Sequence, residues 1–211
     1  MEGNQFLSFL AGIIIIFPAF LIALSFHEFA HAFVAYLLGD DTAKRQGRMT
    51  LNPFAHLDFL GTVFLLLFRI GWARPVPFNI ENFKHPRFYS ILTGLAGPTA
   101  NFIVAIIAFI FMKFISFLTL SKVIFVTFMQ ILEATAYINV MLGTFNLLPI
   151  PPLDGSHFIF ALLYKRFPKV LMFLYRYSLF ILLLIFLLPV TRALLIQVIL
   201  GVYDFLKNLV L

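Results

Sequence analysis

Two histidines four residues apart, with a glutamate beside the first, form the segment His27-Glu28-Phe29-Ala30-His31. On a helix, four residues turn through about 400°, so both imidazoles return to one face roughly 6 Å apart along the axis and can share one ion. Neutral imidazoles suit Zn²⁺, and a carboxylate next to the first histidine can take a proton from a water that the ion activates. Two histidines are not enough, because a catalytic zinc site takes three protein ligands and keeps one position open. Among the acids, Asp40 and Asp41 follow the motif closely but read as helix-end caps, and Glu133 stands alone in an apolar run. Asp154 has a local reason to be buried and pointed, since Pro149, Pro151 and Pro152 break a membrane helix just before it. An N-cap for a helix starting near Gly155 is the other reading of that acid.

The elements that must position these groups are apolar. The chain has 211 residues, of which 62% are hydrophobic and 11% charged, and its mean hydropathy is +1.02. A soluble fold has too little polar surface to cover such a chain, so the composition predicts an all-α polytopic membrane protein. The formal charge is +6, but the basic residues fall in short loops, which points to anionic lipid headgroups and not to nucleic acid. With no cysteine, any zinc must be held by histidine and carboxylate.

Along the chain, residues 6–38 are long enough for one tilted span, with Pro18 as a possible kink. Met1 to Gln5 lack the basic flank of a secretory signal, so this run reads as a retained anchor carrying the histidines. Residues 91–112, 123–148 and 170–188 are further spans, 153–164 is a shorter apolar piece, and 191–211 is either a last crossing or an interfacial helix. Residues 57–70 are short for a crossing. They form a thin or buried span or one arm of a re-entrant hairpin, and the two prolines of residues 71–79 exclude a regular helix there. The expectation is therefore about five to six transmembrane helices with a re-entrant or extended segment near residues 57–90, in one membrane-embedded domain over residues 1–211. Lys44, Arg45, Arg48, Arg74, Lys84, Arg87, Lys165, Arg166 and Lys169 all lie on one side if 91–112 and 123–148 run out and back, leaving Lys113 and Lys122 opposite. The basic side is expected to face the cytosol, which favours the re-entrant arrangement of 57–90 and puts the histidine end of the first span near that side.

Three stretches together resemble the site-2 protease family of intramembrane zinc metalloproteases: His27 to His31, the run Gly97-Pro98-Thr99-Ala100-Asn101, and Asn146 with Pro149 and Leu153-Asp154-Gly155. Asn52-Pro53, His56-Leu57-Asp58, Gly61-Thr62 and residues 71–77 are similar to its compact bacterial and archaeal branch, although Phe59 stands where relatives commonly carry proline. The resemblance covers about residues 20–160. It implies one catalytic zinc held by His27, His31 and Asp154, with Glu28 as the base. The implied reaction is hydrolysis of peptide bonds in transmembrane or membrane-associated protein substrates, as in regulated intramembrane proteolysis, in a multi-pass protein of a prokaryotic cell membrane with its active site toward the cytosol. Asn101 and Asn146 are neutral amides in apolar spans, able either to donate to an oxyanion or a substrate strand or to hydrogen-bond between helices. His157 is a candidate neighbour of Asp154, and His56 and His85 have weaker claims. The alternative function is a non-catalytic zinc-binding membrane protein, a transporter or a scaffold.

Overall fold

The computed structural model describes residues 2–68 and 71–211, with side chains described for residues 12–64, 67 and 71–211. It is all-α, as the composition predicts. The helices are α1 (Glu2–Leu37), α2 (Thr42–Arg45), α3 (Phe59–Phe68), α4 (Pro86–Ser116), α5 (Lys122–Asn146), α6 (Ser156–Leu163), α7 (Pro168–Leu187) and α8 (Pro189–Val210). Among the described residues, five stretches are long and apolar enough to cross a membrane: Gly12–Leu37, Pro86–Ser116, Lys122–Asn146, Pro168–Leu187 and Pro189–Val210. The last belongs to a 22-residue helix, about 33 Å at 1.5 Å per residue, so the C-terminal run has the length of a crossing. α4 begins a turn earlier than its apolar run, because Pro86 sits in its first turn, where its fixed φ and missing N–H cost nothing.

α1, α4 and α5 pack against one another as the core trio, and α8 closes the far side of α4 and α5. Small residues allow the close approach. Ala19 and Ala23 of α1 meet Ile138 of α5, while Ala105, Ala108 and Phe109 of α4 pack with Ala136 and Val140 of α5 and Tyr203 and Leu206 of α8. In lipid there is no hydrophobic drive between helices, so such close packing carries much of the association. Large apolar side chains such as Phe111, Phe173, Leu179 and Phe180 point outward.

The segment between α2 and α4 carries the short helix α3, whose flanks meet at a neck, and then an extended strap. α3 has 10 residues, about 15 Å, roughly half a hydrocarbon thickness. Asp58 caps its start, accepting the Gly61 N–H at 2.8 Å. The neck is closed by an antiparallel bridge between Leu57 and Ala73 and by the Arg74 N–H donating to the His56 carbonyl at 2.9 Å. Residues 56–57 and 73–74 thus lie side by side. Gly61 makes the closure possible, because a Cβ there would collide with the Trp72 backbone.

Residues 74–79 then run across the C-terminal end of α1, fixed along their length. Arg48 Nη2 donates to the carbonyls of Arg74 at 2.6 Å and Pro75 at 3.3 Å, and Val76 packs with Ala32 and Ala43. Asp40, fully buried, accepts the Asn79 N–H and the Asn82 amide, each at 2.7 Å. Asp40 also accepts the Thr42 N–H at the start of α2, but the N-cap position of that helix is Asp41, so Asp40 is a buried tie between the strap and the end of α1 and not a solvated helix-end cap. Asp41 instead pairs at the surface with Arg45.

Candidate metal centre

α1 carries His27 and His31 on the face turned to α4, and the chain reversal after α5 brings in Asp154. That reversal is held by the Gly155 N–H donating to the Asn146 carbonyl at 2.7 Å. The ligand-type atoms lie close together. His27 Nε2 is 3.1 Å from His31 Nε2, and Asp154 Oδ2 is 3.0 Å from the first and 3.3 Å from the second. Among the described residues, no backbone N–H or other donor hydrogen-bonds Asp154 Oδ2.

The proton positions follow from the partners behind the rings. His27 Nδ1 faces Asn101 Oδ1 at 2.6 Å and His31 Nδ1 faces the Thr93 carbonyl at 2.7 Å. Both partners are acceptors, so both imidazoles carry their proton on Nδ1 when neutral. Their Nε2 lone pairs then face each other and a carboxylate oxygen. Three acceptors with no proton among them, in a buried site, repel unless a metal cation or an added ring proton sits between them. Ligand atoms about 2.0–2.2 Å from a tetrahedral ion lie ~3.3–3.6 Å apart, within a few tenths of the separations here. Room is provided by Gly97, where a Cβ would run into His31 Nε2 and into Cε1 and Nε2 of His27. The donor set and this cradle fit Zn²⁺.

Glu28 is also buried, and its Oε2 accepts the Val76 N–H of the strap at 2.8 Å. One carboxylate oxygen is thereby fixed by the backbone. Of the two readings of Asn101, the hydrogen bonds match the interhelical one: its Nδ2 donates to the Ala23 carbonyl at 3.0 Å and to Asn139 Oδ1 at 2.9 Å, leaving its oxygen to His27. Asn146 Nδ2 donates back to the Leu142 carbonyl at 3.0 Å. His56 is fully buried and donates to the Thr50 carbonyl at 2.8 Å, a part of the hairpin neck. His85 packs on Tyr89. His157 stands over Gly94 and against Phe78, and burial pushes it below the ordinary imidazole range, against the pull of Asp154. Asp40 is held below the usual carboxylate range: burial raises it, but the donors from Thr42, Asn82 and Asn79 together outweigh that. Burial and the Arg74 charge lower Arg48, with Glu28 opposing. Sequence reasoning missed Asn139, Arg48 and the Val76 N–H. Asn139 had a signal, a further neutral amide within a span; a backbone donor has none.

Comparison with known proteins points the same way. A model of Peptidase family M50 matches residues 112–185, a stretch that includes Asp154. The chain is 45% identical over 141 residues to "Putative zinc metalloprotease YwhC" of Bacillus subtilis, covering 66% of this chain and 64% of that protein. It is 31% identical to "Putative zinc metalloprotease Rip2" of Mycolicibacterium smegmatis over 71% of this chain and 57% of that one. It is 28% identical to the protein of the same name from Mycobacterium tuberculosis over 96% and 78%. The chain thus spans less than two thirds of the first two relatives. No solved structure matches it significantly. A family model across the aspartate and relatives of the same class join the motifs to one lineage: the chain belongs to peptidase family M50, the site-2 protease family.

Proposed function

We propose that the protein is an intramembrane zinc metalloprotease that hydrolyses peptide bonds of transmembrane or membrane-associated protein substrates. The observation that carries this reading is the convergence of His27 Nε2, His31 Nε2 and Asp154 Oδ2 within 3.3 Å of one another, with both ring protons turned away. In it, His27, His31 and Asp154 would hold one zinc. Bound zinc supplies a Lewis acid that polarises the scissile carbonyl and lowers the pKa of a water. Glu28 would serve as the base that takes a proton from the attacking water and returns it to the leaving amine. The Val76 N–H on Oε2 holds the carboxylate in place for this transfer.

A transmembrane helix hides its peptide bonds in its own hydrogen bonds, so cleavage requires local unwinding into an extended strand. The strap of residues 74–79 is extended backbone passing Glu28, and it serves in this reading as the edge on which the unwound substrate docks. Asn146, at the end of α5, is the amide assigned to that strand. The basic loops at Lys44 to Arg48 and Lys165 to Lys169 orient the centre toward the cytosol of a prokaryotic cell.

The test uses purified protein in detergent with a fluorogenic membrane peptide, with and without a zinc chelator. Cleavage is expected to stop on chelation and return with added zinc. Glu28→Gln is expected to lose cleavage while keeping stoichiometric zinc, and Asp154→Ala to lose both. Loss of zinc from Glu28→Gln, or normal turnover of zinc-loaded Asp154→Ala, refutes the assignment.

A further inference from the structure

We infer that Asn139 is a positioning residue for His27, acting through Asn101; the inference rests on the zinc reading above. Three helices meet at this point. Asn139 of α5, Asn101 of α4 and the Ala23 carbonyl of α1 form one buried hydrogen-bonded chain, and both asparagines are fully excluded from solvent. Its order can be read from the fixed end. The Thr135 carbonyl is a backbone acceptor, so Asn139 must turn Nδ2 toward it, at 2.8 Å. Asn139 Oδ1 is thereby aimed at α4, where it accepts from Asn101 Nδ2 at 2.9 Å. The second Asn101 N–H goes to the Ala23 carbonyl at 3.0 Å, and only its oxygen is left for the His27 ring, 2.6 Å away.

Without Asn139, the Asn101 amide has a competing orientation. Flipped by 180°, it would offer an N–H to His27 Nδ1, which would then have to accept, carry its proton on Nε2 and point that proton at the other two ligands. Asn139 adds to the Ala23 carbonyl in disfavouring this state. A flipped Asn101 would set its oxygen against both Asn139 Oδ1 and the Ala23 carbonyl, two acceptor–acceptor contacts in a dry interior. Asn139 therefore selects the tautomer of His27 that can bind metal, although no atom of its side chain hydrogen-bonds the ring.

The decisive measurement is the zinc dissociation constant of the purified full chain, by competition with a chromophoric chelator. Asn139→Leu is expected to bind zinc about 10- to 100-fold more weakly, the usual effect of removing a partner behind a ligating histidine. Asn139→Ala, which loses the same acceptor without adding bulk, carries the same expectation should the leucine variant not fold. Asn139→Asp, protonated at this depth, keeps both the acceptor for Asn101 and a donor for Thr135, and is expected to recover most of the affinity. A general loss of packing would not separate these variants, but a double-mutant cycle does. Asn101→Ala with Asn139→Leu is expected to bind zinc no more weakly than Asn101→Ala alone, because the relay is already cut. Parent-like affinity in both Asn139→Leu and Asn139→Ala, or full additivity with Asn101→Ala, overturns the inference. A parent protein that binds no zinc overturns the zinc reading itself, a different outcome.

Discussion

His31 and His27 are oriented from behind by different devices, a helix carbonyl in one case and an asparagine relay in the other. In front, the space is set by a missing atom. Gly97 faces both Nε2 atoms, and a methyl group there would occupy the position where the ligands converge. Gly97→Ala is therefore expected to weaken zinc binding by more than the roughly 10- to 100-fold typical of disturbing a neighbouring shell, while α4, in which alanine is the better helix former, keeps its helicity. Zinc content after dialysis and far-ultraviolet circular dichroism check both halves. An alanine variant that retained parental zinc affinity would show that the cradle is wider than the backbone positions indicate.

At the scale of elements, the strap takes its shape from groups outside it. Its two prolines cannot donate, so outside groups hold it: Arg48 on two carbonyls, Glu28 on the Val76 N–H and Asp40 on the Asn79 N–H. Val76→Pro removes the donor to Glu28. A hydrogen bond to a charged group contributes about 1.5–3 kcal/mol, so kcat is expected to fall roughly ten- to hundredfold with zinc content unchanged; a variant as fast as the parent would detach the strap from catalysis.

Asp40 gives the same element a pH dependence. Its folded pKa lies below the ordinary carboxylate value because four donors favour the ionised form over the burial penalty. A depressed carboxylate contributes stability that is complete above the unfolded pKa of about 3.9 and is lost as pH falls through the lower folded value. Asp40→Asn is expected to be less stable than the parent by about 1–3 kcal/mol at neutral pH, with the gap closing as pH drops below about 4. Thermal unfolding in detergent from pH 7 down to pH 3 measures it. A gap that stayed constant across that range would mean that the charge of Asp40 does not hold the strap.

For the whole molecule, charge and helix direction combine into a topology. Arg87 and Lys113 mark opposite ends of α4, separated by about 39 Å at 1.5 Å per residue, so one basic group must lie on each side of a bilayer. The cluster from Lys44 to Arg87 belongs to the side that also holds the strap and hairpin neck. With no native thiol in the chain, single cysteines report directly: Gln46→Cys is expected to react with a membrane-impermeant maleimide only when the cytosolic face is open, and Ser121→Cys from the outside of intact cells. The reverse pattern would invert the proposed orientation.

Much of this architecture was legible in one dimension. The apolar runs, the proline break before Asp154 and the four-residue spacing of His27 and His31 depend on neighbours in sequence, and the cost of charge in lipid makes each exception informative. The short apolar run at 57–70 could be read as re-entrant because its length falls short of a bilayer and basic residues lie on both flanks. Tertiary structure alone decided what the neutral polar groups do. Asn101 can donate or accept from local pattern alone; it became a holder of His27 because α5 delivers Asn139 and α1 delivers the Ala23 carbonyl to its two N–H groups. The void at Gly97, the Val76 N–H on Glu28 and the reach of Asp40 to Asn79 have the same origin. An amide, a glycine or a backbone donor has no fixed partner until helix faces distant in sequence are brought together, and in a dry interior each must then be satisfied by whichever group the packing supplies.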